Sequence, residues 1–310
     1  MKFWVGVTDN EWFNFLSKLS PDEVNFWQPS GNFAFEAIKT GELFLFKLHS
    51  PLNYITGGGF FVRYSRIPLS MAWEAFGEKN GVASFEILRA KIMKYRGGYE
   101  PDPLIGCIIL AQPFFFMQDQ WIPIPKDWSS NIVRGKTYNT TDQIGAQLYA
   151  NVQERLVVNN TSEKIPEQSM LVAEKNALYG SEYLTSARLG QGTFRILVTE
   201  AYNRRCAITG ERTLPVLEAS HIKPFAVSGP NTIENGLLLR SDLHKLFDLG
   251  YLTITRDLHI EVSKRIKEKY ENGREYYTLH GGKLKIVPLN AEYLPSTEYI
   301  EWHNQNIYVA

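Results

Sequence analysis

The sequence predicts an α+β protein of two domains joined by a connector, and three observations predict it. Its 310 residues exceed what a single compact core ordinarily organises. Its character changes near residue 135 and again near residue 180. The two flanking parts also follow different grammars. Apolar strand-like runs mixed with helical periodicity fill the first, and a strand–strand–helix pattern marks the last. The expected organisation is therefore a first domain over 1–135, a connector with some helix over 136–180, and a second domain over 181–310.

In the first part, Phe44-Leu-Phe-Lys-Leu48, Gly59-Phe-Phe-Val-Arg63 and Gly106 to Phe116 read as strands, being short, apolar and aromatic. Lys39-Thr-Gly-Glu42 and Gly57-Gly-Gly59 read as turn signals between them. Ser70 to Phe76 and Ser84 to Tyr95 read as helices, the second because Phe85, Leu88 and Ile92 recur at helical spacing. In the connector, Ile144 to Val158 reads as a helix, and Val157 to Ser169 is polar with one proline. Phe194 to Tyr202 reads as an amphipathic helix. Pro215 to Ile222 and Asn235 to Leu239 read as two short strands, with Ser241 capping a helix over Asp242 to Asp248.

Composition narrows the class. Hydrophobic residues at 44% and aromatics at 13% are enough for real cores and exclude global disorder. No run approaches the roughly eighteen apolar residues that a membrane helix needs. The start, Met1-Lys-Phe-Trp-Val-Gly-Val7, is too short for a secretory leader, so the expected location is the cytoplasm, with no membrane partner. Cys107 and Cys206 are the only cysteines, which rules out a zinc held by four of them. Two buried thiols are expected instead. Net charge is zero, so binding to a polyanion must depend on local patches. One such patch holds Arg188, Arg195, Arg204, Arg205 and Arg212 against Glu200 and Glu211, and the forked guanidinium suits phosphate.

The constellation that carries chemistry is His221, Asn235 and His244, in the order His, Asn, His. A histidine at a strand end and another on the first turn of the following helix can meet around one divalent ion and one phosphodiester. An imidazole can take a proton from water near neutral pH. A divalent ion can contact both the scissile phosphate and the departing oxygen. Either histidine alone could be structural; the paired grammar points to phosphodiester cleavage. His259, His280 and His303 are expected to be structural or exposed.

This stretch resembles the HNH endonuclease family, in the branch found in modification-dependent restriction enzymes. The resemblance spans roughly Arg188 to Trp302. It rests on Arg188-Leu-Gly-Gln-Gly-Thr-Phe-Arg195, Cys206-Ala-Ile-Thr-Gly210, Ser220-His-Ile-Lys-Pro224 and Leu243-His-Lys-Leu-Phe-Asp-Leu-Gly250. It implies a ββα-metal fold, with His221 as general base, Asn235 fixing the hairpin and orienting that base, and His244 as a metal ligand. Many members place aspartate directly before the base histidine as a ligand; this chain has Ser220 there. Asp248 is a further candidate ligand, with Glu218 and Asp242 beside it. The implied cofactor is a divalent metal, magnesium or manganese, and a structural zinc of the cysteine type is not expected. Arg188, Arg195, Arg204 and Arg205 are candidates for the DNA backbone.

The first 130 residues resemble the EVE branch of PUA-like domains, small curved sheets or barrels with helices that hold modified bases in aromatic cages. Phe3-Trp-Val-Gly-Val7, Trp27, Lys39 to Lys47 and Gly57-Gly-Gly-Phe-Phe61 carry that resemblance. It implies a pocket for an extruded base, for which Trp27, Trp12, Phe33 and Tyr64 are the candidates. Together the two resemblances imply a metal-dependent endonuclease acting on double-stranded DNA that carries modified bases such as 5-methylcytosine or 5-hydroxymethylcytosine. A homodimer is compatible, because cutting both strands of a duplex with one-site modules calls for two nuclease sites. Two other readings are open to the sequence: a nicking or sequence-specific nuclease indifferent to modification, and a non-catalytic nucleic-acid-binding regulator with a degenerate HNH fold. RNA is open as a ligand of the first domain.

Overall fold

A computed structural model describes residues 1–31, 34–162 and 189–310. The chain divides into two units, Met1–Ala187 and Arg188–Ala310, and both mix helices with sheet. The first unit runs β1 (Lys2–Thr8), α1 (Asn10–Leu19), β2 (Glu23–Gln28), β3 (Leu43–Leu48), β4 (Tyr54–Pro68), α2 (Leu69–Phe76), α3 (Phe85–Arg96), β5 (Leu104–Phe115), β6 (Ile122–Pro123), β7 (Gly135–Asn139) and α4 (Gln143–Ser162). Its strands form one sheet in the order β2-β5-β4-β3-β1-β7, with β6 paired to β4. β1 and β3 are parallel, and the other pairs are antiparallel.

The unbroken apolar run of β3 has a physical cause, since both faces of that strand are covered. Phe44, Phe46 and Leu48 pack with Trp12, Phe13 and Leu16 of α1. Leu43 and Leu45 pack on the opposite side with Phe3, Val5 and, from α4, Leu148 and Val152. Each such side chain, fully buried, contributes about 1.5–3 kcal/mol. Asp9 caps α1, its Oδ1 accepting the Glu11 and Trp12 backbone N–H groups at 2.8 and 2.9 Å.

Two sequence expectations change here. Gly57-Gly-Gly59, read as a turn, lies inside β4. A Cβ on Gly57 would sit 2.2 Å from the Phe114 carbonyl oxygen, and one on Gly58 would sit 2.6 Å from that of Phe44. The glycines therefore mark a close passage of backbones beside a register shift, which bends the sheet. Residues 136–139, assigned to the connector, belong to β7 and pair with β1. The connector's first helix is likewise docked on this sheet, through Leu148 and Val152. The polar stretch past residue 162 lies outside the described residues.

The second unit runs α5 (Gln191–Ala201), β8 (Leu217–His221), β9 (Gly236–Arg240), α6 (Ser241–Asp248), β10 (Leu252–Ile254), β11 (Ile260–Val262), α7 (Arg265–Tyr270), α8 (Arg274–Tyr277) and α9 (Thr297–Asn306). β8 and β9 pair antiparallel, placing His221 opposite Gly236. A Cβ on Gly236 would lie 2.4 Å from Val198 Cγ2 and 3.1 Å from Phe194 Cε2, so the absent side chain admits α5 against the hairpin. Leu243 and Phe247 of α6 join the core with Leu237, Leu238, Leu239, Phe194 and Val198. α6 begins at Ser241 itself, with Arg240 in the cap position and no side-chain cap bond. Cys107 and Cys206 are both buried free thiols; burial pushes the Cys107 thiol up to about 12.

Candidate active site

β8 ends on His221, and α6 presents His244 and Asp248 one turn apart on one face. All three line a single cavity of about 360 Å³, with Ala219, Phe225 and His303 among its other walls. The hairpin register and the apolar seat of α6 on Leu243 and Phe247 bring these groups together.

His221 is held on two sides. Its ring stacks on Phe194, with centroids 3.8 Å apart and planes 11° from parallel. Its Nε2 lies 2.8 Å from Asn231 Oδ1. Burial lowers the His221 pKa; the Asn231 bond and the Asp248 charge work against that shift, and the nearby His244 adds to it. Net, the surroundings disfavour the protonated ring.

His244 sits between two carboxylates. Its Nδ1 lies 2.6 Å from Glu218 Oε2, and its Nε2 lies 3.2 Å from Asp248 Oδ2. Burial alone would lower its pKa, but Asp248 and Glu218 together outweigh burial and raise it.

Asn235 is fully buried, and both ends of its amide are hydrogen-bonded. Its Nδ2 donates to the carbonyls of Lys223 and Pro230, both at 2.9 Å, and its Oδ1 accepts the Lys223 N–H at 2.9 Å. It therefore ties the ends of the loop that follows His221. The residue hydrogen-bonded to the His221 ring is instead Asn231, which lies in that loop. No signal in the sequence links Asn231 to His221, because that contact depends on how the loop folds back.

The remaining candidates fall in different places. Ser220 is fully buried, does not line the cavity, and has its Oγ 3.5 Å from the His221 carbonyl oxygen. Strand alternation turns its side chain to the face opposite His221. Asp242 is held by Arg240 in a forked pair, Nε to Oδ1 and a terminal nitrogen to Oδ2, both at 2.7 Å. His303 is a structural histidine, its Nε2 donating to the Phe247 carbonyl at 3.0 Å and its Nδ1 2.9 Å from Thr253 Oγ1. Arg204 pairs with Glu200 at 2.6 Å. Neither it nor Arg195 nor Arg205 lines the cavity, and Arg188 lies outside the described residues.

The donor set fits a hard divalent ion. Glu218 on Nδ1 leaves His244 Nε2 as the nitrogen turned to Asp248, a carboxylate–histidine arrangement that orients a metal-binding imidazole. The 3.2 Å between Nε2 and Oδ2 suits two donors sharing one ion. Among the described residues no group of three or more His, Cys, Asp or Glu forms a ready-made cage.

In the first unit, Trp12, Phe26, Trp27 and Tyr95 line a cleft of about 260 Å³, with Asp9 and His49 as polar members of the lining. Trp27 is fixed by its indole N–H donating to the Asn80 carbonyl at 2.9 Å. Tyr95 is 60% exposed, with its ring 6.2 Å from that of Trp27, so one wall of the cleft stands open. Tyr64 is not among the lining residues; its hydroxyl donates to the Gly31 carbonyl at 3.2 Å. Phe33 lies outside the described residues. Phe26 and Tyr95 were not among the sequence candidates.

Residues 206–255 match a family model described as HNH endonuclease, a span that contains His221, Asn235, His244 and Asp248. Among solved structures, the chain is similar to ASCH from Zymomonas mobilis, at 10% identity over 48% of this chain and 94% of that one, with a TM-score of 0.32. It is also similar to the modification-dependent TagI restriction endonuclease, at 13% identity over 92% of this chain and 75% of that one, with a TM-score of 0.28. No curated protein matches the chain. No helix among the described residues is long and apolar enough to cross a membrane.

Proposed function

We propose that this protein is a metal-dependent DNA endonuclease whose first unit selects substrates carrying a modified base. The observation that carries the nuclease reading is the convergence of His221, His244 and Asp248 on one cavity inside the matched segment. His221 takes a proton from a water molecule. The oxygen of that water bonds to phosphorus, the bond from phosphorus to the departing sugar oxygen breaks, and that oxygen takes a proton from solvent. His244 and Asp248 would hold the divalent ion, magnesium or manganese, which supplies Lewis acidity at the phosphate and neutralises the departing charge. Asn235 keeps the loop after His221 in one conformation.

The selectivity reading is supported by the cleft of Trp12, Phe26, Trp27 and Tyr95, which offers planar apolar walls to an extruded base. A methyl group buried there contributes only about 0.8 kcal/mol, so preference for a methylated base by contact alone is modest.

One experiment tests both parts. Purified protein is incubated with magnesium or manganese and with plain, cytosine-methylated, hydroxymethylated and adenine-methylated versions of one plasmid, and the cut ends are mapped. Cleavage of modified DNA, lost in His221→Ala with DNA binding retained, is the expected outcome. Equal cleavage of plain DNA removes the selectivity reading. Full activity of His221→Ala removes the base assignment.

A further inference from the structure

We infer that Asn231 is a positioning residue that fixes the tautomer of His221, so that Nδ1 is the nitrogen able to take a proton. The inference rests on the nuclease reading only for what that nitrogen then does.

The carbonyl oxygen of Leu189 lies 2.6 Å from Asn231 Nδ2. A carbonyl only accepts, so the NH₂ end of the amide must face Leu189. The other end, Oδ1, then faces His221 Nε2 at 2.8 Å. An amide oxygen also only accepts, so Nε2 must carry the hydrogen. A neutral imidazole has one ring hydrogen, and Nδ1 is therefore the basic nitrogen. Asn231 is 8% exposed, which shields the relay from competing water.

Phe194 cannot do this alone. Stacking fixes the plane of the His221 ring, yet turning the ring over by a half-rotation leaves the stack intact and exchanges its two edges. Asn231 distinguishes the edges, because only one orientation gives its Oδ1 an N–H to accept. The division of labour is between a flat apolar surface that sets the plane and a directional acceptor that sets which nitrogen is free.

The test uses the full chain labelled with ¹⁵N-histidine. Long-range proton–nitrogen correlation reads the tautomer of each of the six histidines, and His221 is assigned by the loss of its signals in His221→Gln. The expected result is an Nε2–H signature for His221 in the unaltered protein, replaced by a tautomer mixture in Asn231→Ala. An Nδ1–H signature in the unaltered protein, or an unchanged signature in Asn231→Ala, overturns the inference.

Kinetics on a cytosine-methylated plasmid supply a second readout. Asn231→Ala should lower kcat by about 100-fold or more with little change in KM, within the 10²–10⁴ that general-base catalysis contributes. Asn231→Asp, nearly isosteric, loses the donor to the Leu189 carbonyl but keeps an acceptor for His221 and adds a charge that favours the imidazolium, so the acid limb of its pH–rate profile should move to higher pH. The other charges acting on the ring, from Asp248 and His244, are the same in both proteins. An unmoved acid limb counts against the assignment. Should the unaltered protein cut no DNA, the nuclease reading falls, and the spectrum still decides what Asn231 does.

Discussion

Phe194 lies flat against His221, with ring centroids 3.8 Å apart and planes within 11° of parallel. One ring comes from α5 and the other from the end of β8, and they meet because Gly236, opposite His221, leaves room for Phe194 and Val198. Phe194→Leu keeps an apolar side chain, gives up a little volume and removes the flat surface. Stability should fall by about 1 kcal/mol, as for an ordinary core swap, measured as a shift in the urea midpoint. The cleavage rate should fall much further than that stability loss implies. An unchanged rate at saturating DNA would show that the stack does not matter to the chemistry.

Chelation should abolish cleavage, and added magnesium or manganese should restore it. Glu218→Gln keeps the size of the side chain that meets His244 Nδ1 at 2.6 Å but removes its charge. Manganese affinity measured by calorimetry should drop roughly 10–100-fold, the usual effect of losing a partner that orients a metal-bound histidine. Affinity equal to that of the unaltered protein would remove Glu218 from the metal site.

Acid should destabilise the second unit through His303. Burial pushes its pKa down to about 4 from 6.5, against the opposing effects of the Phe247 carbonyl and Asp248. The unfolded chain then binds the proton at higher pH than the folded one. This contribution is fully present above the unfolded value and declines as pH falls through 6.5 toward about 4. Between about pH 7 and about pH 5 it amounts to about 2 kcal/mol. His221, also lowered, acts in the same direction, while His244, raised, acts in the opposite one. His303→Gln should flatten the dependence of the denaturation midpoint on pH over that window; an equally steep dependence would place the titrating group elsewhere.

Trp27→Ala removes one wall of the aromatic cleft, and the Asn80 carbonyl loses its donor. The ratio of cleavage rates on modified and plain plasmid should move toward unity, with the rate on plain DNA little changed. A ratio equal to that of the unaltered protein removes Trp27 from the reader. Tyr95→Ala, on the open wall, tests the same cleft at a position less important to the core.

The elements legible in the sequence are those whose signals are local. The periodicity of Phe85, Leu88 and Ile92 places α3, and the apolar runs place β3 and β5 within two residues of their observed bounds. Gly57-Gly-Gly59 misled because glycine marks both turns and close backbone passages, and only the neighbouring strands distinguish the two. Residues 136–139 look like connector in the sequence because they are mostly polar, and their place in the sheet comes from pairing with β1.

The sequence by itself determined which chemical groups are available and in what local order. Two imidazoles, an amide and carboxylates are set along a strand–strand–helix pattern, and strand alternation and helical spacing follow from local backbone geometry. Tertiary structure decided how those residues are employed. It gave Asn231 to His221 and Asn235 to the loop ends, turned Ser220 away from the cavity, tied Asp242 to Arg240, and set Glu218 against His244. Hydrogen bonds are short and directional, so their partners depend on where distant segments come to rest, and residue type and spacing do not encode that.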